Sequence, residues 1–274
     1  MKHKEFFLKK YHQQIFAQSW TPNEPKAIVL LVHGFGEHSS RYAEFVVPHL
    51  IDNSFAVFTY DNIGHGKSTG KRGDCESYEQ LMAILNDAYD EVRERFVDLP
   101  VFLYGHSMGG NLVINYTLRI EPGVKGTIAS SPYLRLAFKP PSWKMSIGKL
   151  FYKIAPSITL SAGLEVNHLT RDKVEVEKYK NDPLVHDKVS PMFTFPIMEA
   201  GEWAITNSEH LSTPMLVAHG TGDKVTSHEA SKEFAKGSPK ASLQLFDGGY
   251  HEMHNDLDKK DFMKTLITWM DKQL

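Results

Sequence analysis

The stretch VFLYGHSMGGNLVINY carries a serine, Ser107, at a sharp change of hydrophobic rhythm. A short apolar run typical of a buried strand precedes this serine, and an apolar spacing typical of a helix follows it. GHSMG matches the pattern G-x-S-x-G, in which small residues let a strand and a helix pack closely around a sharp turn. The hydroxyl then stands at the strand end, where the helix N-terminus directs N–H groups at any anion. We therefore predict that Ser107 is a nucleophile; the alternative is an incidental serine in a glycine-rich turn.

A serine nucleophile needs a base to remove its proton, and the base needs a third group to orient it. On a parallel sheet these groups are expected after later strands, in the order Ser, Asp, His. Asp223 follows the apolar run PMLVAHG, and His251 follows SLQLFD. Asp247 and Asp256 are rival acids, but the first ends a strand and the second begins the C-terminal helical region. Asp223 and His251 are therefore the predicted acid and base.

The negative oxygen formed by serine attack needs two N–H donors, one from the loop after an early strand. In LLVHGFGEHSSRY, His33 and Gly34 end such a strand, so the backbone N–H of Phe35 is the predicted donor. The N–H of Met108, directly after the nucleophile, is its predicted partner. The alternative for His33 and Gly34 is an ordinary strand end followed by a turn.

Two further patterns suggest other chemistry but fit it poorly. HEMH places His254 three residues after His251, one residue short of the zinc-binding H-E-x-x-H motif. We therefore expect no metal, and a loop histidine in contact with substrate or solvent. GKS in DNIGHGKSTG resembles part of a phosphate-binding loop, but Asp61 stands where that motif requires glycine. Ser68 of this segment is predicted to be structural.

The elements that must position these residues alternate between two periodicities. Short apolar runs at 26–32, 55–60, 101–104, 126–130, 214–220 and 242–247 predict strands, and amphipathic segments between them predict helices. Such alternation predicts an α/β fold with a mostly parallel sheet flanked by helices. From 134 to 207 this alternation of strand and helix patterns stops, and the proline-rich segment contains only short helical patterns. We predict a core of residues 1–133 and 208–274 with a helical cap, 134–207, inserted in it.

Composition narrows the functional classes. The formal net charge is −2, which argues against a nucleic-acid-binding protein. The single cysteine, Cys75, excludes an intramolecular disulfide and a multi-cysteine metal site. No stretch approaches the roughly 20 apolar residues of a membrane span, so a cytoplasmic location is expected. Apolar residues and lysines in SWKMSIGKLFYKIA fit a lid over an acyl tunnel and leave peripheral membrane contact open.

Several motifs together resemble the monoglyceride lipases of the α/β-hydrolase fold, a group often described as lysophospholipases. They are HGFGEHSSRY, DNIGHGKSTG, GHSMGG, YKNDPL and GGYHEMH, and they follow the family's order over almost the whole chain. The resemblance implies a Ser-Asp-His triad at Ser107, Asp223 and His251, oxyanion donors at Phe35 and Met108, and no cofactor. The family often has a small residue where Phe35 stands, which leaves the width of the site open.

The resemblance also implies a polar subsite for the glycerol headgroup. Its residues would be Glu37, Arg41, His106, Tyr179 and His254. From spacing alone, Glu37 and Arg41 also fit an (i, i+4) ion pair that braces the oxyanion loop.

The predicted function is hydrolysis of the ester of a monoacylglycerol to glycerol and a fatty acid through an acyl-enzyme. A lysophospholipase and a short-chain carboxylesterase are the nearest alternatives. A ligand-binding protein on an inactive scaffold is a more distant one, because such relatives usually lack a member of the triad. Relatives that act as dehalogenases or epoxide hydrolases carry aspartate in place of the nucleophilic serine, which argues against those activities.

Overall fold

The computed structural model describes residues 1–8 and 13–274. In these ranges the strands are β1 Lys2–Phe7, β2 Phe16–Thr21, β3 Ala27–Val32, β4 Phe55–Tyr60, β5 Val101–His106, β6 Gly126–Ser130, β7 Leu160–Ser161, β8 Lys188–Val189, β9 Met215–Gly220 and β10 Ala241–Phe246. The helices are α1 Val46–Asp52, α2 Tyr78–Arg95, α3 Met108–Ile120, α4 Ser142–Ile154, α5 Lys173–Asn181, α6 Pro191–Thr206, α7 His228–Lys236 and α8 Lys259–Asp271.

One mixed sheet dominates the described part of the chain, with the strand order β1-β2-β4-β3-β5-β6-β9-β10. The strands from β4 to β10 in that order run parallel, whereas β1 and β2 pair antiparallel with their neighbours. The prediction of a mostly parallel sheet flanked by helices is confirmed. The two antiparallel strands at one edge were not predicted from the sequence.

The sheet is covered on both faces, and β3 shows how. Its alternate residues Ile28 and Leu30 join a core that includes apolar side chains of α2 and α3. The intervening Val29 and Leu31 join a second core with α1 and α8. A strand buried on both faces reads as a continuous apolar run, which is why AIVLLV is recognisable in the sequence.

The turn between β5 and α3 depends on two glycines. A Cβ on Gly105 would lie 2.1 Å from the carbonyl oxygen of Gly109, and a Cβ on Gly109 would lie 2.1 Å from that of Val32. Both contacts are with backbone and cannot be relieved by a side-chain movement. The helix therefore starts directly against the strand ends. Ser107, midway between these glycines, is held where β5 ends.

The segment between β6 and β9 contains α4, α5 and α6 together with the small β7–β8 pair. Of these helices, α6 packs on α3: the side-chain amides of Asn111 and Asn115 donate to the carbonyl oxygens of Ile197 and Ala200. By contrast, α4 has no buried residue. Among the helices of residues 1–8 and 13–274, none is long and apolar enough to cross a bilayer.

Candidate active site

Ser107 occupies the turn that the two glycines create. It lies between β5 and α3 with φ 53° and ψ −112°, in the region of positive φ that few non-glycine residues adopt. Such strain persists only where the surroundings impose it, and it is concentrated at functional sites. The serine Oγ lies 2.9 Å from Nε2 of His251, and both residues are almost completely shielded from solvent.

His251 is in turn bonded to Asp223, whose Oδ2 accepts a hydrogen bond from Nδ1 at 2.7 Å. The three side chains predicted from loops far apart in sequence therefore form one hydrogen-bonded series. Burial alone would lower the pKa of His251, but the Asp223 carboxylate outweighs it and raises that pKa above the ordinary value. Burial would raise the pKa of Asp223, but the two neighbouring imidazoles, that of His251 first, hold it well below its ordinary range.

The pH dependence of catalysis follows from this pair. His251 accepts a proton only when neutral, so a raised pKa means that activity is lost earlier on acidification. We expect kcat/KM to fall on the acid side with an apparent pKa above the ordinary value of about 6.5. A pH–rate profile measures it, and an acid limb at or below that value would contradict the assignment of Asp223 as the partner.

The rival acids have other partners. Asp256 accepts hydrogen bonds from the guanidinium of Arg171 and the backbone N–H of Tyr250, and Asp247 accepts one from the hydroxyl of Thr221. The Ser68 hydroxyl donates to the carbonyl of Asp61 at 2.6 Å and accepts from a backbone N–H, in agreement with a structural role. Within residues 1–8 and 13–274, no three His, Cys, Asp or Glu side chains converge so as to hold a metal ion.

The loop after β3 approaches the serine closely. A Cβ on Gly34 would lie 2.8 Å from Oε1 of Glu37 and 3.3 Å from Cβ of Ser107, so a larger residue would displace a neighbour. Phe35 and Met108 both line the cavity in front of the serine. Met108 is the first residue of α3, and such an N–H has no acceptor within its own helix. Both residues therefore lie beside the serine, and the role of their N–H groups as oxyanion donors stays a prediction.

A buried ion network braces this loop. Oε1 of Glu37 accepts the Gly34 N–H at 2.7 Å, and its Oε2 lies 2.6 Å from Nη1 of Arg41. The same guanidinium grips Glu252 in a bidentate pair, at 2.7 and 2.8 Å. Because Glu252 directly follows His251, the network joins the oxyanion loop to the loop of the candidate base. Sequence reasoning missed Glu252, whose partner lies 211 residues away.

The other residues of the predicted headgroup subsite divide into two groups. Glu37, His106 and Tyr179 line the cavity, as does Glu252. Arg41 lies behind this lining with its guanidinium over the Tyr179 ring. His254 is fully buried, stacked on Tyr42 and edge-on to His106. Burial lowers the pKa of both His106 and His254 to about 3, so both rings are neutral at physiological pH.

The cavity has a volume of about 580 Å³. The polar side chains Glu37, His106 and Glu252 line it together with Phe35 and Met108. Apolar side chains from the segment between β6 and β9 form much of the remainder: Leu136, Phe138, Leu164, Leu169, Val189, Phe193 and Ile197. The ring of Phe35 packs against Phe193 and against His65 and His186. A large apolar volume beside a small polar constellation suits a ligand with a hydrocarbon chain and a compact polar group.

Residues 169–171 attach this segment to the loop of His251. The Glu252 N–H donates to the carbonyl of Leu169 at 2.7 Å, and the Thr170 hydroxyl donates to the carbonyl of Asn255 at 2.9 Å. Arg171 pairs with Asp256 at 2.9 Å. The loop of the candidate base is therefore held from the segment between β6 and β9 as well as from the core.

Known proteins resemble this chain over most of its length. The family described as "Serine aminopeptidase, S33" matches residues 23–258. An abhydrolase domain-containing protein of Dictyostelium discoideum is 34% identical over 94% of this chain, which spans 28% of that relative. Human monoglyceride lipase is 30% identical, with 89% of this chain and 82% of the relative covered. The crystal structure of Paleococcus ferrophilus monoacylglycerol lipase has a TM-score of 0.86 and 33% identity, with 95% of this chain and 100% of that chain covered.

The chain therefore belongs to this S33 family of α/β-hydrolases and is of the monoglyceride lipase-like kind. It is a carboxylic ester hydrolase. The resemblance found in its sequence motifs is confirmed.

Proposed function

We propose that this enzyme hydrolyses monoacylglycerols to glycerol and a fatty acid. The observation that carries the proposal is the hydrogen-bonded series Ser107–His251–Asp223 facing a largely apolar cavity. In this proposal residues 134–207 form a cap that encloses the acyl chain. The relatives named as monoglyceride and monoacylglycerol lipases support this substrate class.

Each residue has one role in the proposed reaction. Ser107 Oγ attacks the ester carbonyl while His251 takes its proton and then gives it to the departing glycerol oxygen. Asp223 keeps the Nδ1–H tautomer of the imidazole and stabilises the imidazolium. The N–H groups of Phe35 and Met108 receive the negative oxygen, and the loss of one such donor typically costs about 2.7–4 kcal/mol. Water, activated by His251, then releases the fatty acid from the serine.

The charge beside Ser107 favours an uncharged headgroup. Glu37 and Glu252 oppose the single guanidinium of Arg41, so two carboxylates and one cation leave one net negative charge. The neighbouring rings of His106 and His254 are neutral. A phosphate at this position would meet a like charge, whereas the hydroxyls of glycerol would meet hydrogen-bond acceptors.

A comparison of 1-monoolein with oleoyl lysophosphatidylcholine and a short-chain ester tests the proposal. We expect kcat/KM for monoolein to exceed that for the lysophospholipid, since both carry the same acyl chain and differ in the headgroup. A preference for the lysophospholipid would replace the proposal with its nearest alternative. A rate that falls as the acyl chain lengthens would instead favour a short-chain carboxylesterase.

We further propose that the cap contacts lipid aggregates through α4. Trp143, Ile147, Leu150 and Ile154 follow one another at helical spacing, and each is about half exposed or more. Lys144, Lys149 and Lys153 flank this stripe. An exposed apolar stripe flanked by lysines is typical of a helix that enters the lipid interface, and the substrate itself resides there.

Replacement of Ile147 and Leu150 by serine is expected to weaken co-sedimentation with anionic phosphatidylserine-containing vesicles by about tenfold, because two apolar anchors are lost. The variant should hydrolyse a water-soluble short-chain ester at the normal rate. Val97→Ser is the matched control. Val97 is also exposed, but it precedes β5, whereas Ser107 follows the other end of that strand. Equal vesicle binding by all three proteins would contradict a role for α4.

A further inference from the structure

A second histidine contacts the carboxylate of Asp223. His219 lies near the end of β9 and is completely buried. Its Nε2 is 3.0 Å from Asp223 Oδ2, the oxygen that also accepts the hydrogen bond from His251. Its Nδ1 is 2.8 Å from the hydroxyl of Ser231 on α7. None of the roles assigned to the triad uses this residue.

The partners of His219 fix its tautomer. An ionised carboxylate only accepts hydrogen bonds, so Nε2 must carry the hydrogen that it donates to Asp223. In a neutral imidazole Nδ1 is then an acceptor, and the Ser231 hydroxyl donates to it. Burial lowers the pKa of His219, which keeps the ring neutral. The hydrogen bonds therefore run in one direction, from Ser231 through His219 to Asp223.

The two oxygens of Asp223 are held differently. Oδ1 accepts from the backbone N–H groups of Val225 and Thr226, at 2.7 and 3.0 Å. Oδ2 accepts only from side chains: His251, His219 and the hydroxyl of Thr226, the last at 2.9 Å. His219 is thus a fixed donor from the sheet to the oxygen that orients His251.

We propose that His219 is a positioning residue, which acts through Asp223 to align His251 and to moderate the negative charge on the shared carboxylate oxygen. The proposal rests on the roles given above to Ser107, His251 and Asp223. It requires no contact between His219 and substrate.

Few charged or titratable groups surround the hydrogen-bonded series His219–Asp223–His251. His219 faces Asp223, His251 and, from α7, the ring of His228 at 6.3 Å, which pairs with Glu229. On its other sides, His251 faces the ring of His106 at 4.8 Å and, electrostatically, Glu252 and Glu37. All of these remain in place when only residue 219 is changed, so a shift in the pH profile reports on its hydrogen bond.

Two substitutions separate the hydrogen bond from the packing. His219→Leu fills a similar volume without a donor, whereas the amide nitrogen of His219→Gln can stand near the former Nε2 and donate. With the leucine, kcat for monoolein should fall by about 10–100-fold because the carboxylate is less well held. The acid limb of kcat/KM should move to higher pH, because a carboxylate short of one donor stabilises the imidazolium more strongly. The glutamine variant should restore both.

The pH dependence of fluorophosphonate labelling of Ser107 gives the same readout without a lipid substrate. An unchanged acid limb in His219→Leu, or glutamine and leucine variants with equal profiles, would overturn the proposal. If the leucine variant fails to fold, Ser231→Ala takes its place: loss of the donor to Nδ1 should shift the limb in the same direction, and an unshifted limb overturns the proposal. A wild-type chain that is inactive and unlabelled would contradict the proposed function instead.

Discussion

Replacement of Ser107 by alanine is expected to reduce hydrolysis of monoolein by about 10⁵–10⁶-fold, as loss of the nucleophile does in other serine hydrolases. The oxyanion donors and the cavity remain, so only their residual catalysis over the reaction in water should survive. The thermal unfolding temperature should change little, because the hydroxyl has a single side-chain partner, His251. Steady-state kinetics measure the loss of hydrolysis and thermal denaturation measures the stability, while mass spectrometry after fluorophosphonate treatment locates the labelled serine.

Ser68→Ala provides the control for this experiment. Ser68 is also a buried serine near a glycine-rich turn, but within residues 1–8 and 13–274 its hydroxyl bonds only to backbone groups, those of Asp61 and Phe16. We expect this variant to lose stability, by about 1 kcal/mol or more, and to keep full labelling by the probe. An adduct on a serine other than Ser107, or an alanine variant at Ser107 within tenfold of wild-type activity, would refute the assignment.

The second large effect is expected at Arg41. Arg41→Met leaves the carboxylates of Glu37 and Glu252 buried without their common cation, which should lower the free energy of unfolding by about 3–5 kcal/mol at neutral pH. Removal of Glu252 as well should recover part of this loss, since Glu37 keeps the Gly34 N–H and the Tyr42 hydroxyl as donors. Denaturant unfolding of the single and double variants measures both values.

The loss should depend on pH in a defined direction. Burial alone would raise the pKa of Glu252, but Arg41 outweighs it and holds the pKa well below the ordinary value. This contribution to stability is present above the unfolded-state pKa of about 4.3 and is lost as the pH falls. Without Arg41, burial dominates, and protonation of Glu252 relieves the penalty. The difference between wild type and Arg41→Met should therefore shrink as the pH approaches about 4.

Arg135→Met is a matched control for this substitution. Arg135 also pairs with two carboxylates, Glu202 and Glu233, but at a surface where all three side chains are more than a third exposed. Exposed pairs of this kind contribute about 0–1 kcal/mol. An equal cost for the two arginine variants would mean that the buried network stabilises the fold no more than a surface cluster does.

The sequence predicts the parallel part of the sheet well because all of its strands except the edge strand β10 are buried on both faces. It does not predict β1 and β2. Lys2–Phe7 is largely exposed, and neither this segment nor its partner Phe16–Thr21 is a continuous apolar run. The helix α6 was also missed: Pro191 and Pro196 suggest an interruption, although the first stands at the N-terminus of the helix. A proline at that position needs no hydrogen bond and has a suitable φ.

The same contrast holds for the site. Ser107, Asp223 and His251 can be located because each follows a recognisable strand on one edge of the sheet. Glu252 and His219 cannot, because their roles depend on partners chosen by the fold. Glu252 reads as one more charged loop residue, and His219 as part of the strand MLVAHG. Their interest is visible only in the folded chain, where Arg41 contacts Glu252 and Asp223 contacts His219.

The attachment of residues 169–171 to the loop of His251 constrains how substrate and product can enter and leave the cavity. Displacing Leu169 or Arg171 would break hydrogen bonds to Glu252 and Asp256, and would therefore disturb the loop that positions the imidazole of His251. A ligand that enters the cavity without moving these residues leaves the hydrogen bonds among Ser107, His251 and Asp223 aligned.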